Sequence, residues 1–188
     1  MPVQVSPATD SDLIELAEVA ALTFPLACPP SAATDDIDDF IAATLSPQRF
    51  GEYLADPDRV VLTAVAVDRI VGYTVLVGYA MLVRGTGIDP GVESCLEARP
   101  AVELSKIYVL PDWHRHGVGA ALMGAGIAWA EADGARAVWL GVNQANHRAQ
   151  RFYRKHGFGT VGVRTFRLGN AVENDFVMVR PRHGAAPD

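Results

Sequence analysis

The 188-residue chain predicts a mixed α/β fold built on one sheet, and three observations point to it. Residues Arg59 to Leu82 hold two β-rich runs, "RVVLTAVAV" and "RIVGYTVLVGYAML", which meet at Asp68 and Arg69 as the strands of a hairpin do. Residues Ala101 to Arg180 alternate strand, helix, strand, helix and strand patterns, an order that requires one or two parallel crossovers. The length fits a single domain on a prior of about 150 residues per domain, with 1–182 as the domain and 183–188 as a loose tail.

The elements follow in chain order. Val3 to Ser6 reads as a short strand. Thr9 and Asp12 stand at capping-box spacing before a helix whose apolar positions are Leu13, Leu16, Ala17, Ala20 and Phe24. The prolines of "FPLACPP" end it. Ser31 to Ser46 predicts a second helix, with Ile37, Phe40, Ile41 and Leu45 on one face and acids near its N-terminus. "SPQRFGEYLADPD" predicts one more short helical turn. After the hairpin, "VRGTGIDPGVESCLEARP" is punctuated by Gly and Pro and reads as a loop. "AVELSKIYVL" is a central strand, Gly117 to Ala135 a helix rich in small residues, and "AVWLGV" a strand. "NHRAQRFYRKHGF" is a helix with Asn146 as N-cap and Gly157 at its end. "TVGVRTFRLGNAVENDFVMVR" closes the chain as a hairpin around Gly169 and Asn170.

Composition narrows the function. Hydrophobic residues make up 49% of the chain, enough for a full core. The net charge of −6 opposes nucleic-acid binding, which rests on cationic contact with phosphates, and suits a cationic small-molecule partner or simply solubility. Cys28 and Cys95 belong to no metal or disulfide motif, which fits a reducing cytoplasm. The N-terminal stretch has no signal-like core, and no apolar run approaches 18 residues, so no membrane span is expected.

The chemistry concentrates in "HRHGVG", His114 to Gly119, between a strand and a helix. A helix N-terminus presents unpaired N–H groups and partial positive charge, and glycines let an anion approach them. Arg115 adds full charge. The Walker pattern is absent, and the dinucleotide fingerprint would need glycine where Leu122 stands. His114 and His116 lack the further ligands of a metal site, so no metal is expected. A tight turn with two glycines is the plainer alternative.

Downstream, Asn146, Ala149, Phe152, Tyr153 and Gly157 form an N-x-x-A-x-x-F-Y-x-x-x-G-F arrangement. With the glycine loop, it strongly resembles the GNAT family of N-acetyltransferases, whose acetyl-CoA loop follows (Gln/Arg)-x-x-Gly-x-(Gly/Ala). Gly117 and Gly119 match, and His114 stands at the usual Gln/Arg position. "ELSKIYVLPDW" and "FRLGNAVENDFVMVRP" look like the bacterial PaiA-like branch, which acetylates spermidine and spermine. The resemblance runs from about Val3 to Arg180.

It implies the GNAT acyl-CoA N-acyltransferase fold: a mixed, mostly antiparallel sheet with two parallel strands splayed apart and helices flanking it. Acetyl-CoA would be the co-substrate, with no metal. Backbone groups of Ile107, Tyr108 and Val109 would pair with its pantetheine arm as an added strand does. The pyrophosphate would meet the loop from His114 through Arg115, His116, Gly117, Val118 and Gly119 to Ala120. Asn146 would bond the pantetheine region. Lys155, with Arg151 or Arg154 as rivals, would meet a CoA phosphate or else lie on a solvated helix face.

Acetyl transfer needs a base for the acceptor ammonium and a donor for the departing thiolate. Glu103 is the candidate base, on the same face as Ser105 and Ile107 by strand alternation, unless it is a strand-end carboxylate facing solvent. Tyr153 is the candidate acid, two helical turns from Asn146, unless it packs in the core beside Phe152. Asp35, Asp36, Asp38 and Asp39 would select a cationic acceptor or merely cap a helix, and Asp89, Glu93 and Glu97 raise the same choice. The leading reading is acetylation of a primary amine on a small cationic acceptor, a polyamine above others. The alternatives are acetylation of amino acids, antibiotics or protein N-termini, and an acyl-CoA sensor without turnover. Family members are often homodimers, and nothing in the sequence decides that state.

Overall fold

The computed structural model describes residues 2–67, 74–85, 90–169 and 171–182. In order these are β1 (Val3–Pro7), α1 (Leu13–Thr23), α2 (Thr34–Thr44), α3 (Pro47–Ala55), β2 (Arg59–Val67), β3 (Thr74–Arg84), α4 (Pro90–Cys95), β4 (Ala101–Val109), α5 (Val118–Ala132), β5 (Ala137–Asn143), α6 (His147–Lys155), β6 (Gly159–Leu168) and β7 (Ala171–Pro181). The strands form one sheet in the order β1-β2-β3-β4-β5-β7-β6. β4 and β5 run parallel, and the other neighbours are antiparallel. A parallel pair needs a crossover, and α5 supplies it.

Each face of the sheet has its own core. On one, α5 buries Val118, Leu122 and Met123 against Leu82, Val102, Leu104 and Leu140. On the other, α1 and α3 bury Leu16, Ala20 and Phe50 against Val61, Tyr79 and Met81. Period-two alternation along the strands produces this split, as Met81 and the neighbouring Leu82 show. A third cluster joins Val92 and Leu96 of the α4 region to Trp139 and Val177.

Two irregularities shape the centre. The β4–β5 ladder has its register pairs at Ala101↔Ala137, Val102↔Val138 and Glu103↔Trp139. Past Glu103, β4 stays with β3 and β5 stays with β7, so the two strands part. The second irregularity is a β-bulge. Met81 faces Lys106 while Leu82 faces Leu104, which leaves Ser105 as an extra residue in β4. One inserted residue reverses side-chain parity. Val102 and Leu104 therefore share the α5 face with Ile107 and Val109, whereas Glu103 shares the opposite face with Lys106 and Tyr108. The expectation that Glu103 lies with Ser105 and Ile107 is thus corrected.

Other departures are local. α3 is a nine-residue helix rather than one turn, because the Ser46 hydroxyl accepts from Arg49 N–H and Pro47 opens the first turn. The Gly/Pro-rich stretch contains α4. Pro25 does not stop the chain at once: a 3-10 turn runs over Phe24–Ala27 before Cys28 extends. At the start of α1, Asp12 accepts from Thr9 N–H at 2.7 Å, as the capping spacing predicts. Asp68, Arg69, Asp89, Asn170 and the tail 183–188 lie outside the described residues.

Candidate active site

The parting of β4 and β5 opens a cleft of about 900 Å³. At its mouth on the α5 side, the chain leaves β4 through a 3-10 turn at Pro111–Trp113 and enters α5 with Gly117 as N-cap. Arg115 (φ 68°) and Gly117 (φ 80°) both adopt the left-handed conformation. That geometry is costly for arginine, by about 1–3 kcal/mol, and such strain gathers at ligand clamps. His114 ties the loop down, its Nε2 lying 2.9 Å from the Val109 carbonyl oxygen. His116 packs on Trp113 and bonds the His114 carbonyl through Nδ1 at 3.0 Å. Both imidazoles are thus engaged with the loop itself. Among the described residues, no three His, Cys, Asp or Glu side chains gather as a metal ligand set.

α6 forms the next wall. Asn146 caps it, Oδ1 accepting from Ala149 N–H at 3.0 Å, and its Nδ2 donates to no acceptor among the described residues. Buried Gln150 pins the helix to the end of β5 by donating to the Asn143 and Gln144 carbonyls at 3.2 and 2.9 Å. Tyr153 packs its ring on Phe152 and Phe158 and lines the cleft. Burial first, and the nearby Asp175 carboxylate second, push its hydroxyl up to about 12. The phenol therefore stays protonated at neutral pH. Arg148, Arg151 and Lys155 line the outer end of the same wall.

The opposite sheet face carries the charged groups. Glu103, Lys106, Arg164, Glu173 and Asp175 all line the cleft. Burial raises the Glu103 carboxyl above the ordinary carboxylate range, although Arg164, Lys106 and Arg59 pull the other way. Burial also lowers the Lys106 amine to about 8, against the attraction of Glu103. Asp175, only 6% exposed, is likewise raised by burial and held back by Arg164. Phe24 stacks on Phe40 with centroids 4.4 Å apart and meets Tyr108 edge-on, which completes an aromatic wall.

A family model described as "Acetyltransferase (GNAT) family" matches residues 30–158. The chain belongs to the acetyltransferase (GNAT) family. It is also 55% identical over 172 residues to uncharacterised N-acetyltransferases of Mycobacterium bovis and Mycobacterium tuberculosis, covering 92% of this chain and 97% of theirs. Among solved structures, it resembles the PaiA N-acetyltransferase of Thermoplasma acidophilum in complex with coenzyme A, at 20% identity with a TM-score of 0.74, covering 97% of this chain and 100% of that one. Arabidopsis thaliana NAA60 in complex with acetyl-CoA matches with a TM-score of 0.74 at 16% identity, covering 97% and 100%. At such identities the likeness concerns the fold. The GNAT chain is an acetyltransferase built on an α/β sheet whose one parallel pair splays.

In this GNAT chain, the cleft gathers Glu103, Ile107, Tyr108, Val109, His114, Arg115, Gly117, Val118, Gly119, Ala120, Asn146, Tyr153 and Lys155. His116 does not line it, and Arg154 instead reaches Gln150. The acidic cluster is elsewhere: Asp35, Asp38 and Asp39 are exposed, and Asp36 sits against Gly169 of the β6–β7 turn. None of the four lines the cleft. Glu93 pairs with Arg99 instead. Reading the sequence missed Lys106, Arg148, Arg164, Glu173 and Asp175. For Arg164 and Asp175 the one available signal was their place at opposing positions of the predicted closing hairpin, where a charge pair is readable once the register is known.

Proposed function

We propose that the protein transfers the acetyl group of acetyl-CoA to the primary amine of a small cationic acceptor by direct attack, with polyamines the favoured class. The observation that carries this reading is the two-sided cleft. A loop of outward N–H groups at the start of α5 opens on one side of the parted strands, and a half-buried carboxylate, Glu103, stands on the other. Acetyl-CoA would enter from the α5 side, its pyrophosphate on the N–H groups of Arg115 and of Gly117 to Ala120 and its pantetheine arm along Ile107 to Val109, where β4 has no β5 partner. The Nδ2 group of Asn146 is a donor for the same arm, and Lys155, Arg148 and Arg151 are cations for an outer phosphate.

In this reading Glu103 takes a proton from the acceptor ammonium. The freed amine attacks the thioester carbon, a C–N bond forms, the C–S bond breaks, and the nitrogen then gives up its second proton, which restores the Tyr153 hydroxyl after that group has protonated the sulfur. Tyr153 donates its hydroxyl hydrogen toward the departing sulfur, and its high pKa keeps that hydrogen available. Holding amine and thioester together supplies much of the acceleration. Glu103, Glu173 and Asp175 favour a cationic acceptor, and the overall charge of −6 steers one toward the cleft. Reaction in the cytoplasm, where acetyl-CoA is made and used, suits this chemistry.

The test is a panel of amines with acetyl-CoA, following thiol release. Spermidine and spermine are expected to exceed amino acids, aminoglycosides and N-terminal peptides in kcat/KM. A preference for peptides would move the assignment to protein N-termini. Thiol release with none of them, together with tight acetyl-CoA binding by calorimetry, would make the protein a sensor.

A further inference from the structure

Arg164 takes no part in the proposed transfer step, yet it lines the cleft among the charged groups. It stands on β6 directly opposite Asp175 of β7, as cross-strand partners. From there its side chain reaches back across the sheet toward β5 and β4. Its Nε lies 3.6 Å from Asp175 Oδ2, and its Nη1 lies 3.7 Å from Glu103 Oε1. Its guanidinium carbon sits 5.4 Å from the centroid of the Trp139 ring. Trp139 is the residue that faces Glu103 at the last rung before the strands part, and its indole N–H donates to the Gly85 carbonyl at 3.0 Å.

The reach depends on one missing side chain. A Cβ added to Gly141, on β5, would overlap the guanidinium of Arg164. Gly141 has no left-handed backbone that would otherwise call for glycine. The overlap would fall on the flexible end of an arginine and not on backbone, so a larger residue there displaces Arg164 before it disturbs the strand.

We infer that Arg164 is a positioning residue: passing over the slot left by Gly141, its guanidinium ties the Glu103 carboxylate to Asp175 and aims it at the acceptor where β4 and β5 part. This rests on Glu103 being the base. The contacts of 3.6 and 3.7 Å are ion pairs longer than hydrogen bonds, and the Arg164 Nε–H is buried with no hydrogen-bond acceptor among the described residues. The pair therefore acts chiefly through charge. The groups facing Glu103 are Arg164 from β6, Lys106 from β4 and Arg59 from β2, and Arg164 is the strongest of the three in opposing the effect of burial. Beyond Arg164 stand Asp175 and Glu173 of β7. Removing the guanidinium leaves burial less opposed, so Glu103 holds its proton to higher pH and the acidic limb of the rate profile moves upward.

The experiment measures kcat/KM against pH with the best amine of the panel, for the wild type and for Arg164→Gln, Arg164→Lys, Gly141→Ala and Glu103→Gln, and acetyl-CoA affinity by calorimetry. Arg164→Gln is expected to move the acidic limb up by about one pH unit, a tenfold loss of rate below the limb. Gly141→Ala, which keeps the arginine but fills its slot, moves the limb the same way, and Arg164→Lys keeps it nearer the wild-type position. Acetyl-CoA affinity stays within about twofold. If Glu103→Gln removes the limb while Arg164→Gln and Gly141→Ala leave it in place and only lower kcat, Glu103 remains the base and the role of Arg164 is overturned. If Glu103→Gln leaves the limb unaltered, the base is elsewhere and both readings fall. Should Arg164→Gln not fold, Gly141→Ala alone decides the matter.

Discussion

Glu103 and Lys106 share one face of β4 although they are three positions apart, because Ser105 is an extra residue between them. The bulge puts a carboxylate and an amine together in a half-buried site, and burial pushes both toward their neutral forms.

Lys106 carries a stability cost as a result. Its folded pKa of about 8 lies below the unfolded value, so between about pH 8 and pH 10.5 the unfolded chain binds more protons, and stability rises with pH through that window. Below pH 8 the cost is fully present. Lys106→Met should therefore stabilise the protein at pH 7, by about 1–2 kcal/mol, with most of the gain gone at pH 10.5. Urea denaturation at the two pH values checks this.

Glu103→Gln should separate activity from stability. If Glu103 is the base, as proposed, its loss should lower kcat/KM by about 10²–10⁴-fold. A carboxyl whose folded pKa is raised contributes stability at low pH and loses it as pH rises through that pKa. The amide should therefore melt no lower than the wild type at pH 8, and a thermal melt beside the rate measurement reads both effects.

Tyr153→Phe keeps the ring that packs on Phe152 and Phe158 and removes only the hydroxyl. The expected result is a fall in kcat of about 10²-fold or more with acetyl-CoA affinity nearly unchanged. An unchanged kcat with a good acceptor would take the residue out of the chemistry.

Gly119→Asp should abolish acetyl-CoA binding without unfolding the protein. A Cβ at Gly119 would meet the Phe152 ring at 3.5 Å, an ordinary contact, so the fold has room for it. The carboxylate would then sit in the first turn of α5 and compete with a phosphate for the same positive helix end. A loss of at least about 100-fold in affinity by calorimetry, about 2.7 kcal/mol, with a native melting profile, is expected.

What the sequence could reveal, and what it could not, divides along physical lines. Apolar spacing exposed α1, which buries Leu16, Val19 and Ala20, and α2, whose half-buried Ile37, Phe40 and Ile41 pack on the same core, while small residues marked α5 and asparagine and glycine marked the ends of α6. The loop from His114 to Gly119 was readable because its two glycines, Gly117 and Gly119, flank a helix start. The bulge at Ser105 was not, because serine fits a regular strand and parity shifts only when β3 is laid beside β4. α4 hid within turn-forming residues, and its packing beneath Val92 and Leu96 is a tertiary effect. Arg164 reaches Glu103 across 61 positions of sequence, and Gly141 matters only as an absence, which local patterns do not register.

The parted strands leave the two halves of the sheet stitched along one short seam, from Ala101 to Glu103 on β4 and from Ala137 to Trp139 on β5. A ligand lying in the gap would act as the missing thread. The protein without acetyl-CoA should then show fast amide hydrogen exchange at the groups that face the gap beyond this seam, in Ser105 to Val109 and Leu140 to Asn143, whose other edges stay paired with β3 and β7. Saturating acetyl-CoA at about 100 times Kd should slow that exchange and add about 2.7 kcal/mol of stability, a rise of roughly 5–10 °C in Tm for a chain of this size. The co-substrate would be, for the time it is bound, a structural member of the sheet.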